Sequence, residues 1–101
     1  MAHDTRWKIL TPELLRSLAG TMVYERGEVY RQRGQVLSWA EVEESVTAQV
    51  QGTQRYEVRL WLRAGQLQYS CTCLFAAEGA FCKHLVAVGL QGLARSWRKR
   101  W

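Results

Sequence analysis

The stretch Cys71–His84 reads CTCLFAAEGAFCKH and holds all three cysteines of the chain and one of its two histidines. In an extended segment residues i and i+2 point to the same side, so Cys71 and Cys73 can aim at one ion once the strand end tightens. The residues from Leu74 to Phe81 include Gly79, which permits a reversal, and Cys82-Lys83-His84 then delivers a third sulfur and an imidazole. Cys82 falls where the next helix is expected to begin, and free N–H groups there favour thiolate over thiol. Lys83 adds positive charge beside it. Three soft sulfurs and one imidazole select tetrahedral zinc over magnesium, calcium or manganese. Four protein ligands leave no position for water, which marks a structural rather than a catalytic ion.

Two other readings of the cluster are weaker. The cysteines can serve as small core hydrophobes, with His84 hydrogen-bonded at a helix start. A redox dithiol ordinarily has C-x-x-C at a helix start, and this chain has C-x-C. Disulfides are disfavoured in a reducing compartment, and an odd number of cysteines leaves one over. The second histidine, His3, lies near a terminus and reads as solvated.

Upstream of the cluster the hydrophobic period is two. Val46, Ala48 and Val50 alternate with Thr47, Gln49 and Gln51, the triplet 52–54 turns the chain, and Tyr56, Val58, Leu60 and Leu62 alternate with Arg55, Glu57, Arg59, Trp61 and Arg63. Ala64-Gly65 turns it again into a third strand, in which Leu67, Tyr69 and Cys71 share a face, and an earlier strand is expected from Gln35 to Glu41. Nearer the N-terminus, Thr11-Pro12-Glu13 reads as cap, first-position proline and first-turn acid of a short helix stopped by Gly20. A second helix is expected from Met22 to Arg33, interrupted by Gly27 and ended by Gly34. Downstream of His84 the period is helical: Val86, Leu90, Leu93 and Trp97 form one stripe, beside a strip of small residues, Gly89, Gly92 and Ser96, where another backbone can approach.

The chain has 101 residues, enough for one small domain and too few for a second ordinary core. We therefore expect a single domain over 1–101, with an N-terminal helical segment at about 11–33 and a zinc core at about 55–97. The expected fold class is α+β, a small twisted antiparallel sheet with N-terminal helices and a C-terminal helix, joined by a structural zinc in a ββα-like core. Composition, at 48% hydrophobic and 23% charged, excludes disordered and low-complexity classes. No secretory signal and no apolar run long enough to span a bilayer is present, so a cytoplasmic, reducing location without membrane partners is expected. Three thiolates remove three charges and Zn²⁺ restores two, so the formal +5 becomes +4 and the surface stays basic.

The order C-x-C, short loop, C-x-H entering a helix, preceded by β-hairpins, resembles the SWIM-type zinc finger. Upstream, YERGEVYRQRGQV is similar to the helix and strand entry before it in bacterial members, so the resemblance covers about Val23 to Leu90. Leu74 departs from the proline that many members carry after C-x-C, which loosens the loop and removes no ligand. The resemblance implies that Cys71, Cys73, Cys82 and His84 hold one zinc. It also implies a binding module for DNA, protein or both, of the kind found in nucleic-acid remodelling, transposition, recombination and ubiquitin-type signalling.

A basic chain favours polyanionic partners, nucleic acid first. Arg55, Arg59, Trp61 and Arg63 place cations and an aromatic on one strand face, suited to phosphate contact and base stacking. Lys83, and Arg95, Arg98, Lys99 and Arg100 in the tail ARSWRKRW, extend the candidate set. The opposing reading is a solvated strand face with cross-strand ion pairs, Trp61 being covered by the N-terminal helices. Five tryptophans favour instead a protein-interaction adaptor, for which a helicase or ATPase is the expected kind of partner. No phosphate-gripping loop, nucleophile elbow or paired helical histidines is present, and Glu41, Glu43 and Glu44 read as a solvated turn or strand edge, so no catalysis is expected. The sequence leaves the oligomeric state open.

Overall fold

The structure, a computed structural model, describes Trp7, residues 9–77 and residues 79–94. Helix α1 spans Pro12–Ala19 and begins as its sequence requires: the Thr11 hydroxyl accepts the Leu14 N–H at 3.0 Å, and proline occupies the first turn. Gly20, at φ 86°, closes α1 and opens α2, Thr21–Gln32. Helix α2 runs through Gly27 without a break. The reason is packing. A Cβ at Gly27 would overlap the Val86 side chain and lie 2.9 Å from the Lys83 carbonyl oxygen, so only a glycine lets α2 approach the helix that carries them. Close approach offsets the ~1 kcal/mol that an interior glycine costs a helix.

Four strands follow as an antiparallel meander in the order β1-β2-β3-β4: Val36–Val42, Ser45–Gln51, Arg55–Arg63 and Gln66–Cys71. Pairings such as Ala48↔Val58 and Leu60↔Tyr69 set the alternating residues of all four strands on two faces. The register slips between Val36 and Ser38, a bulge that leaves Leu37 extra on the edge strand. Strands β3 and β4 are joined by Ala64-Gly65, both left-handed at φ 53° and 77°, as a two-residue hairpin turn demands. On one face Val46, Ala48, Val50, Val58, Leu60 and Leu62 are buried. On the other, Thr47, Arg55, Glu57, Arg59, Arg63 and Ser70 are exposed.

After β4 come a short helix α3, Leu74–Ala77, and α4, Lys83–Gly92. Helix α4 packs on all four strands and also on α1 and α2, so it is the middle of three layers. It is accordingly apolar nearly all round, with Leu85, Val86, Ala87 and Val88 all fully enclosed. This corrects the single stripe expected from the sequence: Val86 faces α2, while Leu90 is only half-buried, and Trp97 lies outside the described residues. The strip of small residues is also used within the chain. A Cβ at Gly89 would meet the Leu15 side chain of α1 at 2.9 Å, and Gly92 is buried; Ser96 lies outside the described residues. Two tryptophans belong to the interior as well. Trp7 is buried with its indole N–H donating to Glu41 Oε2 at 2.7 Å, and the Trp39 indole N–H donates to the Val88 carbonyl at 3.3 Å. Glu41 thus lies on the edge strand, as expected, but half-buried against a core residue rather than solvated.

Candidate metal centre

Strand β4 ends at Cys71, and the ladder is prolonged by Thr72, whose N–H donates to the Glu57 carbonyl at 3.2 Å and whose hydroxyl accepts the Glu57 N–H at 3.0 Å. The chain then bends through Cys73 into α3, the Ala76 N–H donating to Cys73 Sγ at 3.4 Å. Gly79, at φ 90°, reverses the path and brings Cys82 to the N-cap of α4 with an extended backbone at φ −85°, ψ 170°. His84 therefore stands in the first turn of α4. Short elements on either side of one glycine bring the two sequence pairs together.

The ligand atoms of Cys71, Cys73, Cys82 and His84 all lie within 4.8 Å of one another. His84 Nδ1 is 3.7 Å from both the Cys71 and the Cys82 sulfur. Bond lengths near 2.3 Å to sulfur and 2.0–2.1 Å to nitrogen place tetrahedral ligand atoms roughly 3.6 to 3.8 Å apart, so the cluster has the size of a zinc tetrahedron. Cys73, Cys82 and His84 are buried and Cys71 is half-buried. The donor set fits one structural Zn²⁺, held by the three sulfurs and Nδ1.

The electrostatics agree with the donor set. The Cys82 thiol is lowered to about 4, first by its hydrogen bond with the Cys71 side chain, against the cost of burial and with the His84 ring helping. That same contact, joined by burial, pushes the Cys71 thiol up. Ionising Cys71 beside a thiolate needs a positive charge between the sulfurs, which a divalent cation supplies.

Around the ligands lies a shell that the sequence did not disclose. The Tyr56 ring stacks on His84 at 4.4 Å between centroids, and Tyr30 of α2 meets it edge-on at 5.3 Å. His84 Nε2 is buried and has no hydrogen-bond partner among the described residues. Gly52 sits over this edge: a Cβ there would lie 2.8 Å from the Tyr56 ring, 3.3 Å from the Tyr30 hydroxyl and 3.4 Å from Nε2. The only sequence signal for this shell was the placement of Gly52 at a hairpin turn, which says nothing of what the turn approaches.

The other candidate residues fall into three places. Arg55, Arg59, Trp61 and Arg63 share the exposed sheet face, with the Arg59 guanidinium 4.6 Å above the Trp61 ring. Lys83 is elsewhere, its ammonium 5.4 Å from the Tyr30 ring centroid on the helical side. Arg95, Arg98, Lys99 and Arg100 lie outside the described residues, as do His3 and Trp101. Among the described residues Arg55, Arg59 and Arg63 form no ion pair. Glu57, between two of them, instead accepts Gln49 Nε2 at 2.9 Å. Trp61 is half-buried on that face.

Comparison with known proteins agrees with the site. Residues 56–90 match the family described as the SWIM zinc finger, a span that starts in β3, contains all four ligands and ends in α4. No curated protein and no solved structure matches the chain. No helix among the described residues is long and apolar enough to cross a membrane.

Proposed function

We propose that this chain, which carries a SWIM zinc finger at residues 56–90, is a non-catalytic module that uses its zinc-fastened fold to bind nucleic acid. The observation that carries this reading is the row Arg55, Arg59 and Arg63 beside Trp61, cationic, exposed and without an ion-pairing carboxylate among the described residues. Such a row suits phosphate contact flanking a stacking surface. DNA is preferred over RNA because the family is associated with remodelling, transposition and recombination. The natural setting is then accessory to a helicase, ATPase or recombination machine. Four protein ligands leave a bound zinc no water to activate, which supports a binding role over a catalytic one. A site that needs its three cysteines as thiolates supports a reducing, cytoplasmic location.

The test is a titration of the zinc-loaded chain into labelled DNA, followed by anisotropy at several salt concentrations. Saturable binding that weakens steeply with salt is expected, because each neutralised phosphate releases counterions. Arg59→Glu with Arg63→Glu is expected to lower affinity about tenfold or more while zinc content stays unchanged. Unchanged affinity moves the site off this face.

One further observation favours a protein-docking role. Leu74 and Phe75, on α3 beside Cys73, are 88% and 53% exposed, the kind of apolar pair a protein interface covers. Binding through such a pair tolerates moderate salt, and phosphate binding does not, so the same salt series separates the two.

A further inference from the structure

The sheet face that carries the arginine row has a shape that chooses between forms of nucleic acid. We infer that it is a platform for single-stranded DNA, on which Trp61 stacks an unpaired base; this rests on the nucleic-acid reading above and goes beyond it by naming the strand form.

The first argument is breadth. Four strands at ~4.8 Å spacing make a face about 15 Å across, wider than a B-form major groove of about 12 Å. A duplex therefore offers this face its phosphates and keeps its base planes closed. A single strand offers both.

The second argument is the surroundings of Trp61. Its cross-strand neighbours are Ser45 on β2 and Gln68 on β4, one small and one flexible, and the indole is half-buried among its surroundings. Arg59 already lies 4.6 Å above the ring, which makes a paired guanidinium and indole of the kind that bases stack against. Thr47 and Ser70, on either side of Arg59, add exposed hydroxyls that both donate and accept hydrogen bonds and can meet a base edge.

The third argument is charge along the strand. Arg55, Arg59 and Arg63 recur every fourth residue, roughly 13 Å apart along β3, so the cations flank the indole rather than crowd it. Glu57 is the one carboxylate on the β3 row, leaving that row a net cation. Glu43 and Glu44, in the β1–β2 turn, mark the end of the face next to Ser45. A strand of DNA laid along β3 thus finds positive charge on both sides of the stacking position, with the acidic β1–β2 turn beside its Arg63 end.

The experiment uses the full zinc-loaded chain and two labelled probes of about 12 nucleotides, a thymidine homopolymer and a mixed-sequence duplex, in low salt. The single strand is expected to bind at least about tenfold more tightly than the duplex. Trp61→Ala is expected to weaken single-strand binding roughly five- to 150-fold, the range for loss of one stacked base. Trp61→Phe keeps an aromatic plane and is expected to stay within about threefold of the parent. Thr47→Glu, an exposed change opposite Arg59, is expected to weaken binding without loss of zinc. Equal or tighter duplex binding overturns the inference, as does Trp61→Ala protein that keeps its zinc and its single-strand affinity; both leave nucleic-acid binding itself standing. Binding of neither probe overturns the functional proposal and this inference together.

Discussion

At the metal centre one sulfur pair shares a burden that neither member carries alone. Cys82 is held ionised at the N-cap of α4 and Cys71 is held protonated by the same contact, so zinc uptake has a proton to displace. The sign is fixed by those directions: in the metal-free fold Cys71 still holds its proton at neutral pH, and a falling pH makes that proton a stronger competitor. Zinc affinity is therefore expected to drop at least about tenfold for each unit of acidification between pH 8 and pH 6, the Cys71 proton being one that must leave for each ion bound. Competition with a chromophoric chelator across that range measures the slope, and a flat profile refutes it. The ligands were legible in the sequence because soft donors are scarce and their spacing matches strand and helix geometry. Tyr30, Tyr56 and Gly52 were not, because no periodicity records which ring will lie on His84. Those contacts arise only when the β2–β3 turn, α2 and α4 converge.

Among the elements, α2 and α4 depend on each other through a single missing methyl. Gly27 lies against Val86 and the Lys83 carbonyl, so Gly27→Ala forces the helices apart or the Val86 side chain out of its place. The expected cost is about 1–3 kcal/mol, less the few tenths to 1 kcal/mol that alanine returns as a better helix former. Thermal melts of the zinc-loaded variant are expected to show a Tm lower by several degrees, about 4–8 °C per kcal/mol for a domain of this size. An equal or higher Tm shows that the contact has slack. The same glycine explains a misleading sequence signal: it looks like an interruption of α2 and is instead its docking point. The strands were readable because Val46 to Leu62 alternate so regularly. Helix α3 was not, since its four residues are too few to display a period. Helix α4 revealed only part of itself, because a helix enclosed on both sides has no polar face to define a stripe.

For the molecule as a whole, the zinc cluster fastens the end of the sheet to the start of the helix on which every other layer rests. Binding free energies for such ions are on the order of 10 kcal/mol, comparable with the entire stability of a small domain. Chelation is thus expected to unfold α1 and α2 along with the zinc core, seen as loss of far-UV helical signal in one cooperative transition. Cys82→Ser is expected to lose both zinc and the native melting transition, and full zinc content with an unaltered melt would falsify the structural role. The position of α4 in the chain has a further consequence for how the protein comes into being. The middle layer is made after the two layers it separates, so on a ribosome adding about 5–20 residues per second the valines of the sheet wait for seconds without their partner. During that interval the nascent chain is a natural client for chaperones. Zinc can be captured only once His84 has left the exit tunnel, which makes metal supply a late checkpoint in biosynthesis.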